Sequence, residues 1–219
     1  MRTLNRNSNP YEIRDKIVKT YLKKILRRFK KLNQNLLAFD EINGLTAVNE
    51  CYSDVVDISV ECLKEVAKRT RKWLNGDDGF VADMWLMGWL QEPDPVTHYK
   101  YFDEADRKRS RLFEALQSVN TSSERKQQIE TSMKYFVKQF EQTADDVVDE
   151  IIIQTYKDND VEYVMWVTMH DSKVCADCAA RDGKIYPITA ILKALHWNCR
   201  CFWIPVKKQK VASHITYVA

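Results

Sequence analysis

Apolar residues recur at three- and four-residue intervals over most of this 219-residue chain, the period that gathers them on one face of a helix. Asn9-Pro10 reads as a helix entry, with the proline near the first turn. From Tyr11 to Phe39 the stripe is Ile13, Ile17, Tyr21, Ile25, Phe29, Leu32 and Leu36, and Asn43-Gly44 is expected to end it. A second helical pattern, from about 45 to 74, uses Val48, Cys51, Tyr52, Val55, Ile58, Cys62 and Val66. It runs into the turn signal Asn75-Gly76-Asp77-Asp78-Gly79. Phe80 to Leu90 carries Met84, Trp85, Met87 and Trp89 with Asp83 as its one charge, so it is either buried on most sides or docked on a partner. A further helix is predicted from about Tyr99 to Val119. Thr121-Ser122-Ser123-Glu124 then has the form of a capping box, opening a helix over about 123–157 with Ile129, Met133, Phe136, Phe140, Val147 and Ile151 as its stripe.

Beyond Asp158-Asn159-Asp160 the pattern changes. Val161 to Met169 is rich in valine and aromatic residues and predicts a strand. Ile185-Tyr186 and Cys201–Val206 are shorter strand candidates, with a brief helix near 189–195 between them. Lys207-Lys208-Gln209-Lys210 reads as a mobile basic tail. The expected fold is therefore mainly α with a small C-terminal α+β module, long helices followed by a short-stranded unit. The organisation drawn from this is a helical N-terminal region, 1–122, a module with its leading helix, 123–206, and the tail, 207–219.

The net charge of +3 hides an asymmetry. Residues 1–31 hold eleven Lys and Arg against Glu12 and Asp15, so the remainder is net acidic. Lys23, Lys24, Arg27, Arg28, Lys30 and Lys31 lie on the polar faces of the first helix, where each could neutralise a nucleic-acid phosphate. The plainer reading of such a face is solvation, or the flank of a coiled-coil arm. No apolar run reaches the ~20 residues of a membrane span, so no membrane partner is expected. The N-terminal residues lack the apolar stretch of a signal peptide, which predicts maturation in a reducing cytosol.

Four of the six cysteines fall within 27 residues. Cys175-x-x-Cys178 puts two thiols on one turn, and His196-x-x-Cys199-x-Cys201 offers three further ligands where two would close a tetrahedral site. In an extended segment Cys199 and Cys201 face one side and Arg200 the other, so either cysteine can complete the set. Thiolate and imidazole donors favour zinc, in a closed site of structural character. Disulfides are the alternative. Cys51 and Cys62 fit small core residues of the second helix.

The run Thr143-Ala-Asp-Asp-Val-Val, Tyr156, Val161-Glu-Tyr-Val-Met-Trp166, Asp171, Cys175-x-x-Cys178, Asp182-Gly183-Lys184-Ile-Tyr186 and His196-x-Asn198-Cys199-Arg200-Cys201 resembles the phage head-morphogenesis family, minor head proteins similar to protein F of phage Mu. The resemblance covers roughly 140–206. Trp197 stands where the family usually has proline, and Leu195 precedes the histidine in place of another proline. The resemblance implies a minor capsid protein that joins the procapsid, through the portal and beside capsid or scaffolding protein. It would be made in the host cytoplasm and kept inside the head, near packaged double-stranded DNA, with a role in packaging or ejection. With thirteen residues after Val206, no appended toxin domain is expected.

Catalysis finds little support in the residues. The His-x-Glu and Pro-Cys-x-x-Cys of a zinc deaminase are absent, as are Gly-x-Ser-x-Gly and a phosphate-cradling P-loop. His170-Asp171 imitates half of a metal-nuclease site, but a histidine at a strand end facing water explains it equally. Arg181-Asp182-Gly183 reads as a turn with Gly183 at positive φ. The expectation is a protein that is not an enzyme. The alternatives are a zinc-stapled nucleic-acid-binding protein, with nuclease activity as its extreme form, and a helical adaptor with no particle role.

Overall fold

The computed structural model describes residues 9–36, 41–74, 79–93, 100–191, 199–211 and 214–218. The first helix, α1 (Pro10–Asn35), begins where expected: the Asn9 side chain accepts from the Tyr11 N–H at 2.8 Å, and Pro10 occupies the first turn. Its buried face is Tyr11, Val18, Ile25, Phe29, Leu32 and Leu36. That stripe is rotated from the expected one, because residues 11, 18, 25 and 32 hold a seven-residue repeat while Ile13 and Ile17 drift to its border.

The second helix, α2 (Glu41–Trp73), starts before Asn43-Gly44, so the expected turn there is instead part of a helix. The position explains the tolerance. N–H groups of a first turn have no partner inside the helix, and a glycine there costs less than in the interior. The aromatic block forms α3 (Gly79–Trp89). Leu86 and Leu90 are buried, Trp85 and Trp89 stack at 5.7 Å, and Met84 and Met87 are exposed. α4 (Tyr101–Gln117) and α5 (Ser122–Asp158) follow, the latter opened by the predicted capping box, with the Thr121 hydroxyl and Glu124 carboxylate satisfying each other's backbone N–H.

Helices α1, α2 and α5 meet at three rings. Phe29, Tyr52 and Phe136, one from each, lie with centroids 5.9–6.0 Å apart. α4 joins through Tyr101, whose hydroxyl lies 2.6 Å from Ser59 Oγ on α2. Buried polar groups fix α1 on α5: Tyr11 donates to Asp149 at 2.6 Å, and Arg14 Nε pairs with Asp145 at 2.9 Å while Arg14 Nη2 donates to the Glu141 carbonyl.

The C-terminal part is an antiparallel sheet in the order β2-β1-β3-β4, made of β1 (Tyr163–Val167), β2 (Ile185–Pro187), β3 (Phe202–Val211) and β4 (His214–Val218), with the short helix α6 (Ala176–Ala179) between β1 and β2. Of the brief helix expected near 189–195, a single 3-10 turn at Ile188–Ala190 is described, and 192–198 lies outside the described residues. β3 continues past Val206 and pairs with β4 from Lys207↔Val218 to Val211↔His214. The residues read as a mobile tail thus include a hairpin; its signal was the β-forming run Ile215-Thr216-Tyr217-Val218 behind the lysines.

The sheet packs on the helices through aromatic residues. Trp166 and Trp203 face each other across β1 and β3 with centroids 4.7 Å apart, Trp73 of α2 meets Phe202 edge-on at 5.8 Å, and Tyr156 of α5 donates to the Trp203 carbonyl at 2.9 Å. One buried cluster therefore runs from α1 to β3. No described helix is long and apolar enough to cross a membrane.

Candidate metal centre

The loop after β1 is stitched to that strand before it reaches the cysteines. Trp166 N–H donates to the Lys184 carbonyl and Gly183 N–H to the Trp166 carbonyl, at 3.1 and 2.9 Å. Asp182 Oδ1 accepts from the Thr168 N–H at 2.8 Å. The returning turn needs Gly183, which has φ +72 as the sequence predicts.

Cys175 caps α6. Its Sγ accepts from the Cys178 N–H at 3.4 Å, so the knuckle turn is closed by a thiol. Cys178 is fully buried below it, and the segment leading into β3 brings Cys199 and Cys201 alongside. The Sγ atoms of Cys178, Cys199 and Cys201 all lie within 4.8 Å of one another, with Cys178 and Cys199 at 3.6 Å. Arg200, between the two cysteines, turns the other way, and its Nη2 donates to Asp171 Oδ2 at 2.7 Å. Asp171 Oδ1 also accepts from the Lys173 N–H at 2.9 Å, so this carboxylate ties the loop before the knuckle to the segment behind it. These bonds hold the Asp171 carboxyl below its ordinary range, the Arg200 hydrogen bond first.

Burial, and then the neighbouring thiols, push Cys178 up to about 12. Cys201 is raised too, chiefly by its hydrogen bond with Cys199 and then by burial. Crowded buried sulfurs cannot share negative charge without a cation among them. The donor set fits zinc: Zn–S bonds of ~2.3 Å put tetrahedral sulfurs about 3.8 Å apart, near the separation seen here. Cys178, Cys199 and Cys201 would hold such an ion, with Cys175 or His196 as the fourth donor. A bound zinc would supply a fixed charge and a crosslink. His196 lies outside the described residues.

The other candidate residues fall elsewhere. Lys23, Lys24, Arg27, Lys30 and Lys31 are exposed on α1, with Lys24 Nζ 4.4 Å from the Tyr21 ring centroid. Arg28 is half-buried and pairs with Asp54 of α2 at 3.3 Å. Cys51 and Cys62 are buried on α2, and burial pushes both up to about 12, as expected of inert core thiols. His170 is largely exposed, as its reading as a water-facing strand-end residue requires, and stands 3.7 Å from Asp182. Sequence reasoning missed the structural work of Asp171 and Asp182. Asp182 beside Gly183 in a turn was the one signal for it.

A family model described as phage Mu protein F like protein matches residues 106–204, from within α4 through the knuckle and into β3. Over this span the chain is similar to the phage Mu F-like family. The match begins well before the roughly 140–206 over which the resemblance is legible, and includes all of α5. Residues 1–105, with the basic helix, lie outside it. The Mu F-like family is one of structural head proteins, and similarity to it over 106–204 points to a phage head-related protein. No curated protein and no solved structure matches the chain.

Proposed function

We propose that the chain is a minor head protein, incorporated in the procapsid through the portal, that acts in head morphogenesis and in DNA packaging or ejection. The observation that carries this reading is the Mu F-like match over 106–204, which includes Cys178 and Cys199 and their supporting turn. In this role nothing is turned over. The helices offer the surfaces that meet portal, capsid or scaffolding protein, and the knuckle keeps a small sheet rigid. Zinc on Cys178, Cys199 and Cys201, completed by Cys175 or His196, supports that rigidity, because short strands alone have little core.

Contact with packaged DNA belongs to the same proposal. From Lys16 to Lys31 the outer face of α1 spans about 22 Å at the helical rise, and residues 16–35 contain no Asp or Glu. Assembly takes place in the host cytoplasm, and the mature location is the interior of the head.

Quantitative mass spectrometry of purified procapsids and portal assemblies tests the reading. A few copies per portal are expected. Absence from every particle would sink it and favour a zinc-stapled nucleic-acid-binding protein, which a magnesium-dependent nicking assay would then test for nuclease activity.

A further inference from the structure

A cleft of about 550 Å³ opens where the start of α1 passes the end of β1, within the size range of sites that take small ligands or side chains. Its charged lining is one-sided. Glu12 comes from α1 and Asp182 from the turn before β2, with His170 beside Asp182, and no Lys or Arg is among the described residues that line it. Its apolar lining includes Trp166, Phe202, Met165 and Met169. Trp166 is 1% exposed, and its indole N–H has no hydrogen-bond partner among the described residues. A buried donor left without an acceptor costs about 1–3 kcal/mol. His170, which also lines the cleft, takes φ +51, an uncommon conformation for a residue with a side chain.

These features select among ligand chemistries. An anion would meet two carboxylates and no cationic side chain. A bare divalent ion needs ligand atoms converging on one point, and the only such convergence among the described residues is the cysteine cluster. What remains is a larger cation with an apolar stem and an acceptor of its own. An arginine residue within a peptide has all three. The guanidinium is planar, weakly hydrated and suited to carboxylates and aromatic faces. The methylenes pack on Met165 and Met169, whose thioether side chains adapt to irregular partners. A backbone carbonyl provides the acceptor that the Trp166 indole N–H lacks.

We propose that this cleft is a docking site for an arginine-bearing, extended segment of a partner protein, with Glu12 and Asp182 facing the guanidinium and Trp166 donating to the segment's backbone. The proposal stands apart from the head assignment and from the metal centre, since neither the cysteines nor the basic face of α1 takes part.

The test is an NMR titration of the full isotope-labelled chain with a blocked Ala-Arg-Val tripeptide, following the assigned Trp166 indole N–H resonance. A saturable shift is expected, absent with the citrulline counterpart, which keeps the shape and loses the charge. Glu12→Gln, a change at an exposed position, should weaken binding about five-fold, the effect of one exposed charge pair. Asp182→Asn should do the same while keeping an acceptor for the Thr168 N–H. No saturable shift in a chain with a native spectrum, or an equal response to the citrulline peptide, overturns the proposal. So does a Trp166 shift saturated by magnesium ions alone. A response that emerges only after residues 1–8 are deleted would assign the cleft to the chain's own N-terminus and overturn partner docking.

Discussion

Asp145 is the clearest case of a side chain whose surroundings set its chemistry. It sits on α5, is 6% exposed, and meets Arg14 of α1. Burial pushes its carboxyl up to about 7 from 3.8, against the opposing pull of Arg14. The folded chain therefore binds this proton more tightly than the unfolded chain does. Its contribution to stability is fullest below pH ~4 and declines as pH rises towards 7. Asp145→Asn removes the titration and keeps the size. The melting temperature of the variant relative to wild type should accordingly rise between pH 4 and 7, by the equivalent of roughly 2–4 kcal/mol at about 1.4 kcal/mol per pKa unit. A difference that stays flat over that interval would mean that Asp145 is already ionised at its lower end. At this scale the cysteines were legible, because their spacing is itself the signal. Tyr11–Asp149 and Arg14–Asp145 were not, since their partners lie over 130 residues apart in the sequence.

Among the elements, α1 combines two faces with different work. The inner face is held by Ile25, Phe29 and Leu32, all at most 2% exposed. The outer face carries Lys23, Arg27 and Lys30, while Arg28 is engaged by Asp54 and so contributes less free charge. Lys23→Glu with Arg27→Glu is expected to leave the helix folded, since both side chains are exposed. It should weaken duplex binding and flatten the dependence of log K on log salt by about 0.9 for each phosphate that is no longer neutralised. Filter-binding or anisotropy titrations at several salt concentrations read the slope, and an unchanged slope returns this face to simple solvation. Helix α5 was readable end to end because the capping box marks its start and the Asp158–Asp160 run its close. The start of α2 was not, because an Asn-Gly pair has the same local preference whether it ends one helix or lies in the first turn of the next.

Taken whole, the molecule is a helical body with a sheet fixed against it by Trp73–Phe202 and by the Tyr156 hydroxyl on Trp203. Cys178→Ser tests how far the knuckle and the helices depend on each other. With an ion bound as proposed, the variant should lose it, measured by elemental analysis, and lose the near-ultraviolet dichroism of Trp166 and Trp203 at a lower temperature than wild type. Most of the far-ultraviolet helical signal should survive at that temperature. Simultaneous loss of both signals would make the chain one cooperative unit, with the cysteines holding α1 to α5 as firmly as they hold the sheet.

Helical periodicity, the capping box, the strand at 163–167 and the order of the cysteine motif are local patterns, so the chain alone is enough to read them. The same holds for the Mu F-like resemblance, which depends on residue order and spacing. Tertiary structure decided where those local signals are ambiguous or silent. It chose which of two adjacent stripes α1 buries and extended β3 into a hairpin through residues that read as a charged tail. It also brought Glu12, Trp166 and Asp182 to one cleft, and gathered Cys178, Cys199 and Cys201 into a space where their charges cannot all remain unbalanced. Each of these depends on contacts between residues distant along the chain, and no single segment contains the information that selects them.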